Sequence, residues 1–359
     1  MSRPPKAAGI KDIARALGIS IGTVDRALHE RAGVSLKTKA RALQMAEQLG
    51  YKPNLAAQAL KLNRTIEIGV VLPKHISHFF DPLRAGIRAA AAATVGLHVE
   101  VTFKEYPRLG QGDAELLEAA LKEGYDGIIF TPGNPRKLDS IIHRLTRRGT
   151  AMFCVASDAP GSERIGLVSA DAYTSGALAA ELLAYKLYRK AHVATIMGEL
   201  TTLDHAEKLR GFAATLATLA PHLSLLPAIE SHERPKEAYR QTLSLILGDT
   251  KPQGLYISTA NSIPVFKALS EQGQLGKIQV VTTDLFRDLV PLIETGKVFA
   301  TIYQRPFAQG KLAFESLIAY LLKDKKISPI IRLAPHIIFR SNLPLFTNRL
   351  DDLTDSVLS

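Results

Sequence analysis

Residues 10–64 read IKDIARALGISIGTVDRALHERAGVSLKTKARALQMAEQLGYKPNLAAQALKLNR, and the punctuation of this stretch decides how the chain begins. Ile10 to Leu17 has helical apolar spacing and stops at Gly18, a natural turn residue. Ser20 is placed to cap a second helix running to about His29. Two short helices around a Gly-containing turn make a helix-turn-helix, whose second member lies in the major groove of DNA. Further on, Pro53 stops the preceding helix and Asn54 can cap a short new one, Leu55 to Leu60. Alone in water so short a helix is unstable, because nucleation is costly.

The charge respects the same boundary. Residues 1–64 hold twelve Lys/Arg against four Asp/Glu, which is +8 of the chain's +11 and leaves +3 for the remainder. A basic balance concentrated in the first sixth of the chain is the footprint of phosphate contacts and points to double-stranded DNA as partner.

At 359 residues the chain exceeds one ordinary domain. The stretch after the headpiece is long enough to bury a large core split into lobes. The N-terminus, MSRPPKAAGIKDIA, has no apolar export segment, and no apolar run reaches membrane length. A cytoplasmic protein is expected. The single cysteine, Cys154, lies in AMFCVAS and reads as a structural thiol in a buried strand.

From Ile66 the pattern alternates strand and helix. IEIGVVLP reads as a buried parallel strand, with a helix after it from about Asp81. HVEVTFKEY, DGIIFTPG and AMFCVASDAP are further strands, with AELLEAALKEG and KLDSIIHRLTRRG as the helices between them. A second series is expected to begin at ERIGLVSADAYTSGALAAELLAYKLY. It continues through HVATIMGE, DHAEKLRGFAATLATL, GLYISTA and IQVVTTD. Such alternation implies βαβ units and parallel sheets. Two series imply two lobes, whose ligand sits beyond the C-terminal ends of the strands.

The headpiece resembles the lactose-repressor (LacI) family of bacterial transcription regulators. The motif IKDIARALGISIGTVDRAL, continued by GVSLKTKARALQMAEQLGYKPNLAAQAL, matches that family's helix-turn-helix, third helix and hinge. Residues 66–346 resemble its partner module, the two-lobed periplasmic-binding-protein type I fold with parallel sheets. The resemblance implies a headpiece over 1–52, a hinge helix and linker over 53–64, and an effector-binding and dimerisation domain over 65–359. It places Ile21, Gly22 and Arg26 where the second helix faces base edges. Arg26 is suited to guanine O6/N7, Ile21 offers only apolar contact, Gly22 offers no side chain, and Asp25 replaces a usual serine. Ser20, Thr23 and Lys37 are expected on phosphate. Leu60 is expected as the wedge inserted in the minor groove at a dimer axis.

For the effector, Phe79 and Phe80 come after the first strand and suit the C–H faces of a sugar ring. Asp158, Asn261, Asp284 and Gln304 are polar tips just past predicted strands, a set that resembles the ribose-binding branch of the fold. Sugar binders of that branch often carry an arginine upstream of an RGF-like turn. Asp204, His205 and Ala206 stand there in TTLDHAEKLRGF, with His205 the candidate donor in its place. The missing arginine argues against an anionic ligand and for a neutral sugar, polyol or cyclitol.

Other functions are weaker. Asp158 with Asp284 could be drawn as a glycosidase acid–base pair, but the headpiece has no role in that reading. A transport binding protein would have no use for a basic headpiece. His75 and His78 are expected as a solvent-facing pair with no third ligand, so neither metal nor cofactor is expected. The expectation is a ligand-responsive, sequence-specific repressor of a carbohydrate or polyol operon. The alternative is an effector-independent DNA binder with a vestigial sugar domain. After Phe346 only TNRLDDLTDSVLS remains, too short and polar for a tetramerising coiled coil, so a homodimer on a pseudo-palindromic operator is expected.

Overall fold

The computed structural model describes residues 9–28, 32–49, 64–94, 96–259, 261–322 and 327–347. Two compact units are present, one carrying the N-terminal helices and one carrying both sheets.

The N-terminal unit contains α1 (Ile10–Leu17), α2 (Ile21–Leu28) and α3 (Leu36–Gln48). Gly18 ends α1 in the left-handed region at φ 63°, and its N–H returns to the carbonyls of the last turn. Ser20 Oγ accepts the Thr23 N–H at 3.0 Å, and Ser35 Oγ accepts that of Thr38 at 3.2 Å, so both later helices begin on a serine cap. Ile13, Ala14, Val24 and Ala46 form the buried centre where the three helices meet. The expected end of the second helix at His29, the hinge helix, Asn54 and Leu60 lie outside the described residues.

The larger unit begins with β1 (Ile66–Pro73), α4 (Ser77–Ala92), β2 (Val99–Tyr106), α5 (Asp113–Ala120), β3 (Gly127–Phe130), α6 (Pro135–Arg147), β4 (Ala151–Val155) and β5 (Gly166–Ala170). It continues with α7 (Ala172–Lys186), β6 (Ala191–Met197), α8 (Leu203–Leu219), β7 (Leu223–Leu225), β8 (Ile229–Glu230), α9 (Pro235–Leu247), β9 (Gly254–Ser258) and α10 (Ser262–Glu271). The chain then adds β10 (Gln279–Thr283), α11 (Val290–Glu294), β11 (Ala300–Tyr303), α12 (Pro306–Leu321), β12 (Ile330–Leu333), β13 (His336–Ile338) and α13 (Pro344–Thr347). The first sheet has the order β12-β5-β4-β3-β1-β2, and the second β13-β11-β10-β9-β6-β7 with β8 beside β6. The second sheet is parallel except at its edge, where β13 runs antiparallel to β11. The chain passes between the sheets three times, after β5, β11 and β12.

Two expectations need correction. The segment ERIGLVSA does not open the second lobe: β5 pairs with β4 in the first sheet, with Phe153 opposite Gly166. The absent side chain at Gly166 makes room for the Phe153 ring. A local strand–helix pattern carries no information on which sheet a strand joins. The helix after β1 starts at Ser77, a turn before Asp81, because Ile76 adopts the left-handed conformation and turns the chain at once. Pro82 therefore sits inside the helix and removes one backbone donor.

The first lobe's core gathers Val71, Phe130, Leu138, Met152 and Cys154. Cys154 is fully buried, and burial pushes its thiol far above the ordinary range, as expected of a structural cysteine. In the second lobe Ile196, Leu255, Ile257, Val265 and Val280 pack between sheet and helices. Helices α7 and α8 meet through two glycines: Gly176 lies against the Lys208 carbonyl and Gly211 against that of Tyr173. Among the described residues no helix is long and apolar enough to cross a membrane.

Candidate functional site

A cavity opens at the C-terminal ends of the strands in both sheets. Beyond β1 it is lined by Ile76, Phe79 and Phe80, beyond β3 by Thr131, and beyond β4 by Ala156 and Ser157. The second sheet contributes Thr202, Asp204, His205 and Lys208 after β6, Glu233 after β8, Ser258 and Thr259 from β9, Thr283 and Asp284 from β10, and Gln304 after β11. Phe79 and Phe80 are both buried and meet edge to face, with centroids 5.0 Å apart, so both aromatics face the site.

Four residues of the polar wall, Asp204, Lys208, Gln304 and Asp284, are joined by hydrogen bonds. Lys208 Nζ donates to Asp204 Oδ2 at 2.6 Å and to Gln304 Oε1 at 2.8 Å. Gln304 Nε2 donates to both oxygens of Asp284, at 2.9 and 3.1 Å. Burial raises the Asp284 carboxyl to about 6, against the opposing pull of Lys208 and the Gln304 amide. Burial works to lower the Lys208 ammonium, but Asp204, Tyr256 and Asp284 outweigh it and raise the group overall. His205 Nδ1 accepts the Glu199 N–H at 2.9 Å, which puts the ring proton on Nε2. Burial, reinforced by Lys208, lowers this histidine to about 4, so it is neutral near pH 7. Its Nε2 stands 3.8 Å from Glu233 Oε1 and 4.0 Å from Asp204 Oδ2.

Of the seven residues expected in the effector site, Phe79, Phe80, His205, Asp284 and Gln304 line the cavity. Asp158 and Asn261 do not. The Asp158 carboxylate turns to Arg164, which approaches it with Nε and with Nη2 at 2.8 Å, and it also accepts the Ala159 N–H. Asn261 Nδ2 donates to Glu233 Oε2 at 3.0 Å and so supports a lining residue from behind. The sequence pattern did not mark Glu233 or Lys208. Glu233 comes after a strand of two residues, too short to read as alternation. Lys208 lies four positions beyond Asp204, a spacing that puts both on one face of α8. That lysine also supplies a cation close to where the family's arginine was found missing.

Backbone strain concentrates here. Among the described residues, six that are not glycine have φ between 50° and 74°, and four of them (Ile76, Ala156, Glu233 and Asp284) line the cavity. Such conformations cost about 1–3 kcal/mol each and persist where the surroundings enforce them. The two lobes touch at the cavity's rim. Thr202 Oγ1 donates to the Gly133 carbonyl at 2.9 Å, and the His78 ring lies 4.5 Å from that of Phe286. His78 is thus not solvent-facing beside the exposed His75; it sits in the first turn of α4, and burial lowers it to about 4.

Among the described residues, Glu199, Glu230 and His232 bring one donor atom each within 4.8 Å of one another. Both carboxylates already have protein partners: Glu199 Oε1 accepts the Thr201 hydroxyl at 2.8 Å and Glu230 Oε1 the Leu200 N–H at 2.6 Å.

In the headpiece, Ser20, Ile21, Gly22, Arg26 and Lys37 are exposed and Thr23 is half-buried. Ile21 is 49% exposed. Ser20 and Thr23 also share a hydrogen bond between their hydroxyls, at 2.8 Å.

A helix-turn-helix unit carried on the same chain as a two-lobed body with a polar cavity defines a ligand-responsive DNA-binding transcription regulator. Residues 9–54 match the bacterial regulatory proteins of the lacI family and residues 68–326 the periplasmic binding protein domain, and the chain belongs to the LacI family of regulators built on that domain. Catabolite control protein A of Priestia megaterium is 23% identical over 93% of this chain and 98% of its own length. The maltose regulon regulatory protein MalI of Escherichia coli K12 is 27% identical over 58% of each. These relatives are regulators, not enzymes. An ABC-transporter solute-binding protein of Burkholderia graminis in complex with D-arabinose superposes with a TM-score of 0.72 at 20% identity, covering 79% of this chain and 98% of that one. One from Bacillus halodurans with bound myo-inositol gives 0.71 at 16% identity, over 79% and 98%. At these identities the likeness speaks to the fold.

Proposed function

We propose that the protein is a cytoplasmic, homodimeric repressor of a carbohydrate or polyol operon, released from or held on its operator by a polyhydroxylated effector. The observation that carries the effector reading is the cavity itself. Two aromatic rings face a wall of carboxylates, hydroxyls and an amide at the strand ends, which is the chemistry that grips a sugar, polyol or cyclitol. The excess of carboxylates disfavours phosphorylated and acidic sugars. For the DNA reading, the exposed face of α2 presents Ile21 and Arg26 to base edges. We assign Ser20, Thr23 and Lys37 to phosphate, and Asn54 and Leu60 to the hinge.

Closure of the two lobes on the effector changes the geometry of the chain's three crossings and, through them, of a dimer's paired headpieces. A ligand shifts that equilibrium only by its differential affinity for the two states. The test is operator selection from random DNA with the full chain, then titration of the complex with a panel of sugars, polyols and inositols. A selected pseudo-palindrome whose affinity changes with one of them is the expected result. Selection of a site that no panel member affects would favour the effector-independent alternative.

A further inference from the structure

Helix α8 carries Asp204, His205 and Lys208 into the cavity, and its first turn is capped in an unusual way. A threonine at the N-cap ordinarily accepts an N–H from the second or third residue of the helix. Thr202 has the extended backbone of an N-cap, at φ −78° and ψ 126°, but makes no such bond. Its hydroxyl crosses to the first lobe instead and donates to the Gly133 carbonyl at 2.9 Å. The Asp204 N–H, which Thr202 is placed to accept, crosses the same way and donates to Ser157 Oγ at 3.4 Å, a long bond. The first turn of α8 is thus capped by the opposite lobe.

Both receiving groups are held in place. Gly133 gives its N–H to Asp113 Oδ2 at 2.9 Å and lies too close to the Gly110 backbone to carry a side chain, so its carbonyl stays aimed. Ser157 is buried and comes after Ala156, whose left-handed backbone at φ 66° turns the chain at the end of β4. When the lobes part, both bonds across the gap are lost together. Thr202 then needs only a rotation about χ1 to accept the N–H of Asp204 or His205 itself. We propose that Ser157 and Thr202 form a capping switch, in which Ser157 caps α8 while the lobes are together and Thr202 caps it while they are apart. This rests on the reading of the two lobes as a body that opens and closes. Opening then forfeits no helix cap, and the two states stay close enough in energy for an effector to choose between them.

The test is hydrogen exchange followed by mass spectrometry on the ligand-free full chain, read at the amides of Asp204 and His205. The expected result is that Ser157→Ala and Thr202→Val each speed exchange by no more than about twofold, because the other hydroxyl takes over, while the double variant speeds it by about tenfold or more. If Ser157→Ala alone matches the double variant, or if the two single effects multiply, each hydroxyl acts by itself and the switch is overturned. Thr202→Asp supplies a second reading, since a carboxylate accepts an N–H but has no proton to give the Gly133 carbonyl. In that chain Ser157→Ala is expected to change nothing, and faster exchange overturns the switch as well. This pair decides if the double variant with valine fails to fold. Neither effector nor DNA enters the experiment, so its failure leaves the regulator reading to the operator titration.

Discussion

Gly198 is the seat of Glu233: a Cβ on this glycine would overlap Glu233 Oε1 and crowd the His205 ring. The obstruction is the far end of two side chains rather than backbone, so Gly198→Ala is accommodated by moving them. The expected outcome is a melting temperature within a few degrees of the wild type and operator affinity unchanged without effector. Effector affinity is expected to fall by about tenfold or more, since a misplaced polar group loses its bond and leaves a buried partner unsatisfied. Calorimetry beside operator titration checks this. Unchanged effector affinity would place Glu233 outside the site.

Asp284 makes binding depend on pH. Its carboxyl is raised by burial from 3.8 to about 6 in the ligand-free chain. For a raised acid the stabilising contribution is complete below the unfolded value and is lost as pH rises through the folded one, so ionisation above about pH 6 strains the empty cavity. A ligand that donates to the ionised carboxylate relieves that strain and expels a proton. Affinity should therefore weaken as pH falls below about 6, by up to about tenfold per unit, and Asp284→Asn should flatten the profile. His205 works the other way on stability. Lowered to about 4, it contributes stability present above about 6.5 and lost as pH falls through 4. Titrations at three pH values between 5 and 7.5 suffice. A flat wild-type profile would remove Asp284 from direct contact with ligand.

How legible each feature was in the sequence depended on how local its signal is. The headpiece caps are written in neighbouring residues: Gly18 ends α1, and Ser20 bonds a residue three positions on. Asp284 and Gln304 were findable because each comes after a well-formed apolar strand. Glu233 was not, because its strand is two residues long and its place is set by Gly198 and Asn261, both distant in sequence. Asp158 misled because a strand-end carboxylate looks the same whether it faces a ligand or an arginine, and Arg164 lies beyond the turn that brings it back. Assigning β5 to the first sheet needed the register with β4, a long-range fact of the same kind.

The close approach of α7 and α8 sets the position of Lys208. A Cβ at Gly176 would overlap the Lys208 carbonyl, and here the obstruction is backbone that cannot swing aside. Gly176→Ala should cost about 1–3 kcal/mol by overpacking. That lowers the melting temperature by about 2–4 °C per kcal/mol in a unit of this size. Displacing α8 also carries Lys208 away from Gln304, so effector affinity should fall together with stability. A variant as stable and as responsive as the wild type would show that the two helices have slack.

Arg26 separates reading from holding. It is exposed on α2, as is Ile21, while Val24 and Ala27 of the same helix are buried. Removing its side chain should therefore leave the fold alone, and what is lost should depend on its target. If it bonds a guanine edge, Arg26→Ala reduces the preference for selected operator over random DNA by about 1–3 kcal/mol. Non-specific binding keeps nearly all of its salt dependence in that case. If it holds a phosphate, both DNAs weaken alike and the slope of log affinity against log salt shrinks by about 0.9. Fluorescence anisotropy on the two DNAs at several salt concentrations distinguishes these outcomes. The expected one is the first, because we assign the phosphate contacts to Lys37, Ser20 and Thr23.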